Sequence, residues 1–345
     1  MVNMEEYLKN IDNTMVLDAL VKSKSVFDQH QKAVVSISGG SDSDLVLDLV
    51  EKTKGNTDVI YTFYNTGIEY QATKDHLKYL ESKYGVKIQT VPPVKPIPVC
   101  VKQFGVPFVS KYVSKSIRVL QIHGFKWEDK PFEVLMKEYE GCEGALRWWC
   151  NAYPHNEGEK SRYNIHQNKW LKEFMVLNPP TFNVSDLCCT YAKKKPAKNY
   201  LKESGADLNV LGVRRSEGGI RSMTYKNCFS KNEDGADQYR PLFWMSDSDK
   251  EYYEKKFEIV HSDCYTKYGL KRTGCVGCPF SQEVFEDLER IKKHEPRMYQ
   301  ACMNVFGESY AYTKKYKEFY AKMEALEESK KYKTAIQRFK IRGNK

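Results

Sequence analysis

Two groups of residues in this chain combine side chains and spacings that suit chemistry. The first is Ser38-Gly39-Gly40-Ser41-Asp42-Ser43, which follows an apolar run and precedes a stretch with helical spacing. The second is a set of four thiols in two close pairs, Cys188-Cys189 and Cys275-x-x-Cys278. A helix start leaves backbone N–H groups unpaired, and its dipole favours a negative group there. Glycines let the backbone close around such a group. Ser38, Ser41 and Ser43 add hydroxyl donors, and Asp42 can hold Mg2+ or orient a nucleophile. The turn reads as a phosphate cradle. It lacks the Gly-Lys-Ser/Thr ending of a Walker loop and the G-x-G-x-x-G of a dinucleotide fingerprint. Four thiolates suit either tetrahedral Zn2+ or an iron–sulfur cluster. Adjacent cysteines splay their side chains apart along an extended chain, which fits a wide cuboidal cluster better than one small ion; zinc stays the alternative.

Elements that position these groups are visible in the hydrophobic pattern. "KAVVSIS" (32–38) is short, β-branched and stopped by Gly-Gly, which predicts a buried strand. A helix over 41–53, a strand over 58–65, a helix over 70–85 closed by Gly85, and a strand over 86–91 follow. This alternation argues for a parallel sheet with right-handed crossovers. Residues 92–180 break the rhythm: "PPVKPIP" predicts a rigid extended loop, followed by aromatic-rich segments and a helix over 164–177. A helix over 193–205, a strand over 208–215 and a helical tail from about 281 complete the chain. The expected fold is α/β, a doubly wound, mainly parallel sheet. Its main domain covers 1–280 with a helical insertion at about 92–180, and a helical extension covers 281–345.

The 345 residues include 55 Lys+Arg and 45 Asp+Glu, a net charge of +10. That excess suits a solvated, lysine-rich helix surface or a polyanionic partner, nucleotide or nucleic acid. No apolar run approaches the roughly 20 residues that span a bilayer. The first residues carry acids and no apolar core of a secretory signal, so the expected setting is cytoplasmic, without a membrane partner. Ten cysteines there are not expected to form a disulfide framework. Trp127, Trp148, Trp149 and Trp170 are expected to fill the core of the insertion.

The pattern S-G-G-x-D-S resembles the PP-loop of the ATP-pyrophosphatase superfamily, with Ser41 where many relatives carry Lys. The tandem Cys-Cys followed by Lys193, and the distant C-x-x-C-P, resemble the phosphoadenosine phosphosulfate (PAPS) reductase family. "YNTGIEY" is similar to that family's Asp-Thr-Gly segment, with Asn65 in place of Asp, and "LGVRRSEGGIRS" to its Gly-x-Arg-Arg…Arg segment, with Gly218 where many relatives have Ser. The resemblance implies an adenine nucleotide alpha-hydrolase-like fold. It also implies that Ser38 through Ser43, Thr66, Gly67, Gly212, Arg214, Arg215 and Arg221 meet the nucleotide, with Asp42 and Ser43 catalytic. It further implies a 4Fe–4S cluster on Cys188, Cys189, Cys275 and Cys278, with Lys193 beside it. Arginine suits bidentate phosphate or sulfate contacts and can supply the charge that Ser41 does not.

Sulfonucleotide reductases of this family carry a reactive cysteine in a C-terminal Glu-Cys-Gly-(Ile/Leu)-His motif, which the printed sequence does not contain; its last cysteine, Cys302, sits on an apolar helix face. The chain thus resembles the divergent, phage- and mobile-element-type branch. Two enzymatic versions follow. In one, ATP, with Mg2+, is attacked at its α-phosphate and pyrophosphate leaves, with sulfur transferred to an acceptor such as a nucleic acid. In the other, the pocket takes a sulfonucleotide and another thiol acts as in assimilatory reductases. Each needs an electron or sulfur donor. The alternative of a different class is a non-catalytic, cluster-containing regulator that binds nucleotide or nucleic acid.

Overall fold

The computed structural model describes residues 9–154, 161–217, 224–233 and 235–342, with side chains through residue 329. The chain divides into two compact units. One comprises the chain up to Pro98, Cys189–Cys278 and Phe285–Ala301; the other comprises Val99–Cys188, Pro279–Val284 and the chain from Cys302.

The first unit is built on a six-stranded sheet. Its elements are α1 (Thr14–Asp28), β1 (Lys32–Ser36), α2 (Ser41–Thr53), β2 (Asp58–Tyr64), α3 (Gln71–Tyr84) and β3 (Ile88–Val91). They continue with α4 (Lys195–Ser204), β4 (Leu208–Val210), β5 (Phe229–Ser230), β6 (Asp237–Tyr239) and α5 (Asp247–Lys256). The strand order is β3-β2-β1-β4-β6-β5. Every pairing is parallel except β5 with β6, so the α/β, mainly parallel expectation holds. Ala33, Val34 and Val35 of β1 are fully buried, as a central strand covered on both faces requires. Leu45, Val46, Leu49 and Val50 of α2 pack into the same core with Phe27, Tyr61, Leu208 and Tyr253. β5 and β6 have no counterpart in the sequence reading, which extended β4 to residue 215. In the structure the chain leaves the sheet after Val210.

The second unit is helical. Its core gathers Phe108, Phe125, Trp127, Trp148, Trp149, Phe174 and Tyr312. The helix expected over 164–177 is a short 3-10 turn, Ile165–Gln167, and a helix, Leu171–Leu177. Trp170 separates them with a left-handed φ of 62°. Helices Val284–His294 and Pro296–Arg342 form the helical C-terminal region. No described helix is long and apolar enough to cross a membrane.

Candidate functional site

The strand order runs outward from β1 in both directions, to β2 on one side and β4 on the other. In open α/β sheets this reversal leaves a crevice beyond the carboxyl ends of the strands. A cavity of about 670 Å3 lies there, lined by the turn after β1 (Ser36, Ile37, Ser38, Gly40 through Ser43) and the segment after β4 (Leu211 through Arg214). Its wall also includes Tyr64, Glu69, Lys193, Tyr225, Lys250, Tyr265, Arg272 and Thr273. All of these belong to the sheet unit.

The glycine turn folds on itself. Gly39 takes φ 67°, and a side chain there would meet Thr73 Cγ2 at 2.7 Å, so both conformation and space demand glycine. Ser43 closes the start of α2: its Oγ donates to the Gly40 carbonyl (2.7 Å) and accepts from the Gly40 N–H (3.1 Å). The Ser41 N–H donates to the Tyr265 hydroxyl (3.1 Å), which lies 3.0 Å from Thr273 Oγ1. A ligand at this helix start would therefore replace a tyrosine hydroxyl.

Asp42 is the electrostatic centre of the cavity. Its Oδ1 accepts from Arg214 Nε (3.1 Å) and Lys250 Nζ (2.7 Å). Burial opposes its charge, but Lys250 and Arg214 prevail and hold the carboxyl below the usual carboxylate range. Arg214 also donates to Asp247 Oδ1 (2.7 Å) and Ser216 Oγ (2.8 Å). Beneath it, Asp44 of the same helix turn accepts from His261 Nδ1 (2.8 Å), and His261 Nε2 donates to Glu254 Oε1 (2.9 Å). His76 Nε2 lies 3.0 Å from the other Asp44 oxygen, but off the line of a hydrogen bond.

Burial works against the His261 charge, yet Asp44 and Glu254 outweigh it and bring the pKa up to about 9. An unfolded histidine titrates near 6.5. The stabilisation is therefore complete below about pH 6.5 and is lost as pH rises through about 9. Denaturant unfolding should show stability falling over that window by on the order of 3 kcal/mol at most. His261→Gln should flatten that slope. An unchanged slope in the variant would contradict the assignment.

The thiols present a second arrangement. Cys189, Cys275 and Cys278 belong to the sheet unit, and the buried Cys188 is the last residue of the preceding segment of the helical unit. Burial opposes the Lys193 ammonium, but the Cys275, Glu69, Cys189 and Cys278 charges keep its pKa above the ordinary lysine value. Burial pushes the Cys275 thiol up, with the Lys193 charge working against it. Among the described residues no three His, Cys, Asp or Glu side chains are gathered so as to hold one metal ion. One small ion needs its sulfurs at about 2.3 Å; a cuboidal cluster takes one thiolate at each separate iron and accepts a wider set. Cys275, Cys189 and Cys278 all act electrostatically on the one Lys193 ammonium.

Of the residues expected at the nucleotide, Ser38, Gly40, Ser41, Asp42, Ser43, Gly212 and Arg214 line the cavity, as does Lys193. Gly39, Thr66, Gly67 and Arg215 are not in its wall. Thr66 is buried and donates from Oγ1 to Glu69 (2.5 Å), so Glu69, not Thr66, presents that segment to the cavity. Gly67 takes φ 84° against Pro96. The Arg215 guanidinium lies over Trp244, 5.4 Å from its ring centroid. Arg221 and Gly218 fall outside the described residues. The sequence reading missed Lys250, Tyr265, Arg272 and Thr273. Thr273 carried a usable signal, two residues before Cys275, while Lys250 sits in a helix that reads as ordinary charged surface.

Residues 32–130, which include the glycine turn and the Asn65–Gly67 segment, match the family described as Phosphoadenosine phosphosulfate reductase domain, which bears out the family resemblance. Over 291 residues the chain is 23% identical to an uncharacterized protein of Methanocaldococcus jannaschii, covering 83% of this chain and 44% of that protein. The chain thus spans less than half the length of that relative. Similar solved structures include phosphoadenylyl-sulfate reductase from Candida auris in its phosphate complex, at TM-score 0.40 and 13% identity, covering 79% of this chain and 93% of that one. Another is the U34-tRNA thiolase NcsA from Methanococcus maripaludis with its 4Fe–4S cluster, at TM-score 0.37 and 13% identity, covering 86% of this chain and 80% of that one.

Proposed function

Because the chain carries a phosphoadenosine phosphosulfate reductase-family domain over residues 32–130, we propose that it is a PP-loop enzyme that binds an adenine nucleotide for sulfur-transfer chemistry. The observation that carries this reading is the cavity at the strand reversal, walled by the Ser38–Ser43 turn on one side and by Gly212 and Arg214 on the other. The phosphates lie at the start of α2, where the helix dipole and the Ser41 N–H meet them once the Tyr265 hydroxyl is displaced. In the ATP version an acceptor oxygen attacks the α-phosphate, the bond to the β-phosphate oxygen breaks, and pyrophosphate leaves with that electron pair. Arg214 and the backbone N–H groups stabilise the charge that gathers on the phosphoryl oxygens. Asp42 is the carboxylate placed to accept Mg2+ arriving with ATP. In the sulfonucleotide version Arg214 meets the sulfate end instead.

The thiol group fits a 4Fe–4S cluster drawn from Cys189, Cys275 and Cys278, with Cys188 as the fourth thiolate expected from the sequence. Such a cluster supplies a site that holds or delivers sulfur. Lys193 lines the cavity and balances thiolate charge, so the residues that would hold the cluster and those that meet the nucleotide are electrostatically linked. A nucleic acid is the acceptor that the +10 charge favours.

The test is a calorimetric titration of anaerobically purified, iron-quantified protein with Mg-ATP and with phosphoadenosine phosphosulfate. Binding of Mg-ATP accompanied by pyrophosphate release supports α-phosphate activation. Preference for the sulfonucleotide replaces it with reductase-like chemistry. Binding of neither by iron-loaded protein overturns the enzyme reading.

A further inference from the structure

The turn over residues 36–43 contains no lysine or arginine, yet an ammonium rests on it. Lys250, 209 residues away in α5, donates from Nζ to Ser41 Oγ at 2.6 Å and to Asp42 Oδ1 at 2.7 Å. Its side chain is 15% exposed and lines the cavity. An ammonium carries three N–H donors, and Ser41 and Asp42 take two. Its further ion-pair partner, Glu254 Oε1, stands at 3.7 Å, beyond hydrogen-bond reach. One donor is thus left to a ligand without breaking either contact.

Lysine is a flexible side chain, and holding its head group in one place costs rotamer entropy. Here a ring of alternating charge fixes it. Asp42 and Asp44, both in the first turn of α2, are joined through Lys250, Glu254 and His261. Arg214 shares Asp42 but has Asp247 as its own carboxylate, which leaves Lys250 as the cation committed to the turn.

We propose that Lys250 is the phosphate-binding cation of the glycine turn, held there by Ser41 and Asp42. This rests on the nucleotide reading above and names the group that meets the phosphates at the start of α2. When the ligand arrives, the Lys250 ammonium donates its third N–H to a phosphoryl oxygen while Ser41 and Asp42 keep it in register.

The experiment compares the parent, Lys250→Ala and the double variant Ser41→Lys with Lys250→Ala. Each is titrated with inorganic pyrophosphate, Mg-ATP, phosphoadenosine phosphosulfate and adenosine, with melting temperatures measured alongside. The expected result is a loss of about 10- to 100-fold in affinity for the phosphate-bearing ligands in Lys250→Ala. Adenosine binding should be unchanged, and pyrophosphate binding should recover in the double variant, whose lysine starts from the atom that Lys250 now touches. Equal pyrophosphate affinity in the parent and Lys250→Ala overturns the proposal. So does an equal loss for adenosine, which would report a collapsed cavity. A parent protein that binds none of the four overturns the nucleotide reading and this inference with it, and is told apart by failing before any substitution is made.

Discussion

An Asp42→Asn protein should bind bare pyrophosphate at least as tightly as the parent, yet turn over a nucleotide about 100-fold or more slowly. The two effects part because this carboxylate serves opposite ends. Its Oδ1 is shared by Lys250 at 2.7 Å and Arg214 at 3.1 Å in a cavity where both side chains are mostly covered. Asparagine keeps the shape and removes the charge, so two cations are left facing one another with less to balance them. A polyanion restores that balance, and its binding strengthens. Under the proposed function, turnover needs an anionic oxygen in the same place to receive a metal or orient a nucleophile, and an amide supplies no such charge. The loss should fall on kcat and not on KM, the pattern of an interaction made in the transition state. Without ligand the variant should melt lower, because breaking a buried ion pair strands its partners. Calorimetry with pyrophosphate and a pyrophosphate-release assay separate the two. A parallel loss of binding and turnover would show that Asp42 shapes the cavity and does no more.

Gly105→Ala should destabilise the helical unit by about 3 kcal/mol or more. Gly105 sits at φ 102°, and an added Cβ would lie 2.1 Å from the Asn183 carbonyl oxygen and 2.4 Å from its carbonyl carbon. Both obstacles are backbone, so no rotamer change relieves them. The displaced carbonyl accepts from the Val106 N–H (2.9 Å), and Ser185 N–H donates to the Val106 carbonyl (2.8 Å). These bonds form the bridge that joins Val106 to Val184. Gly124→Ala is the matched control: its φ is 66°, but nothing lies within 4 Å of the added carbon, so only the left-handed strain of about 1–2 kcal/mol applies. Urea unfolding followed by tryptophan fluorescence reads the difference. Equal losses in the two variants would contradict the backbone account.

What the sequence made legible follows the range of the forces involved. Local pattern locates α2 at 41–53 and comes within two residues of β1, β2, α3 and β3, because the strands are short segments bounded by glycine or polar turn residues and the helices carry buried residues at helical spacing. The same reasoning extends β4 through Arg215, since "LNVLGVRR" continues to look like a strand. In the structure the segment leaves the sheet after Val210, which is how Gly212 and Arg214 come to face the cavity. β5 and β6 are two and three residues long, too short to show alternation. At the site, the residues with a motif were legible and those that act from a distance were not. Lys250 and His261 have no local signature: their neighbours in sequence are ordinary helix surface and loop, and only folding brings them to Asp42 and Asp44.

The sheet also sets a timetable for synthesis. β1 pairs with β2 almost at once, but its other neighbour is β4, and the Lys32 N–H reaches its acceptor Asp207 across 175 residues of chain. At about 5–20 residues per second, that separation means β1 waits on the order of ten seconds or longer with one row of backbone donors and acceptors unmet. The waiting strand is flanked by β2 and already apolar on both faces, the combination that invites pairing with a neighbouring nascent chain. Yield of native protein should therefore depend on elongation rate and on holding chaperones during that interval, before the glycine turn has any cavity to face.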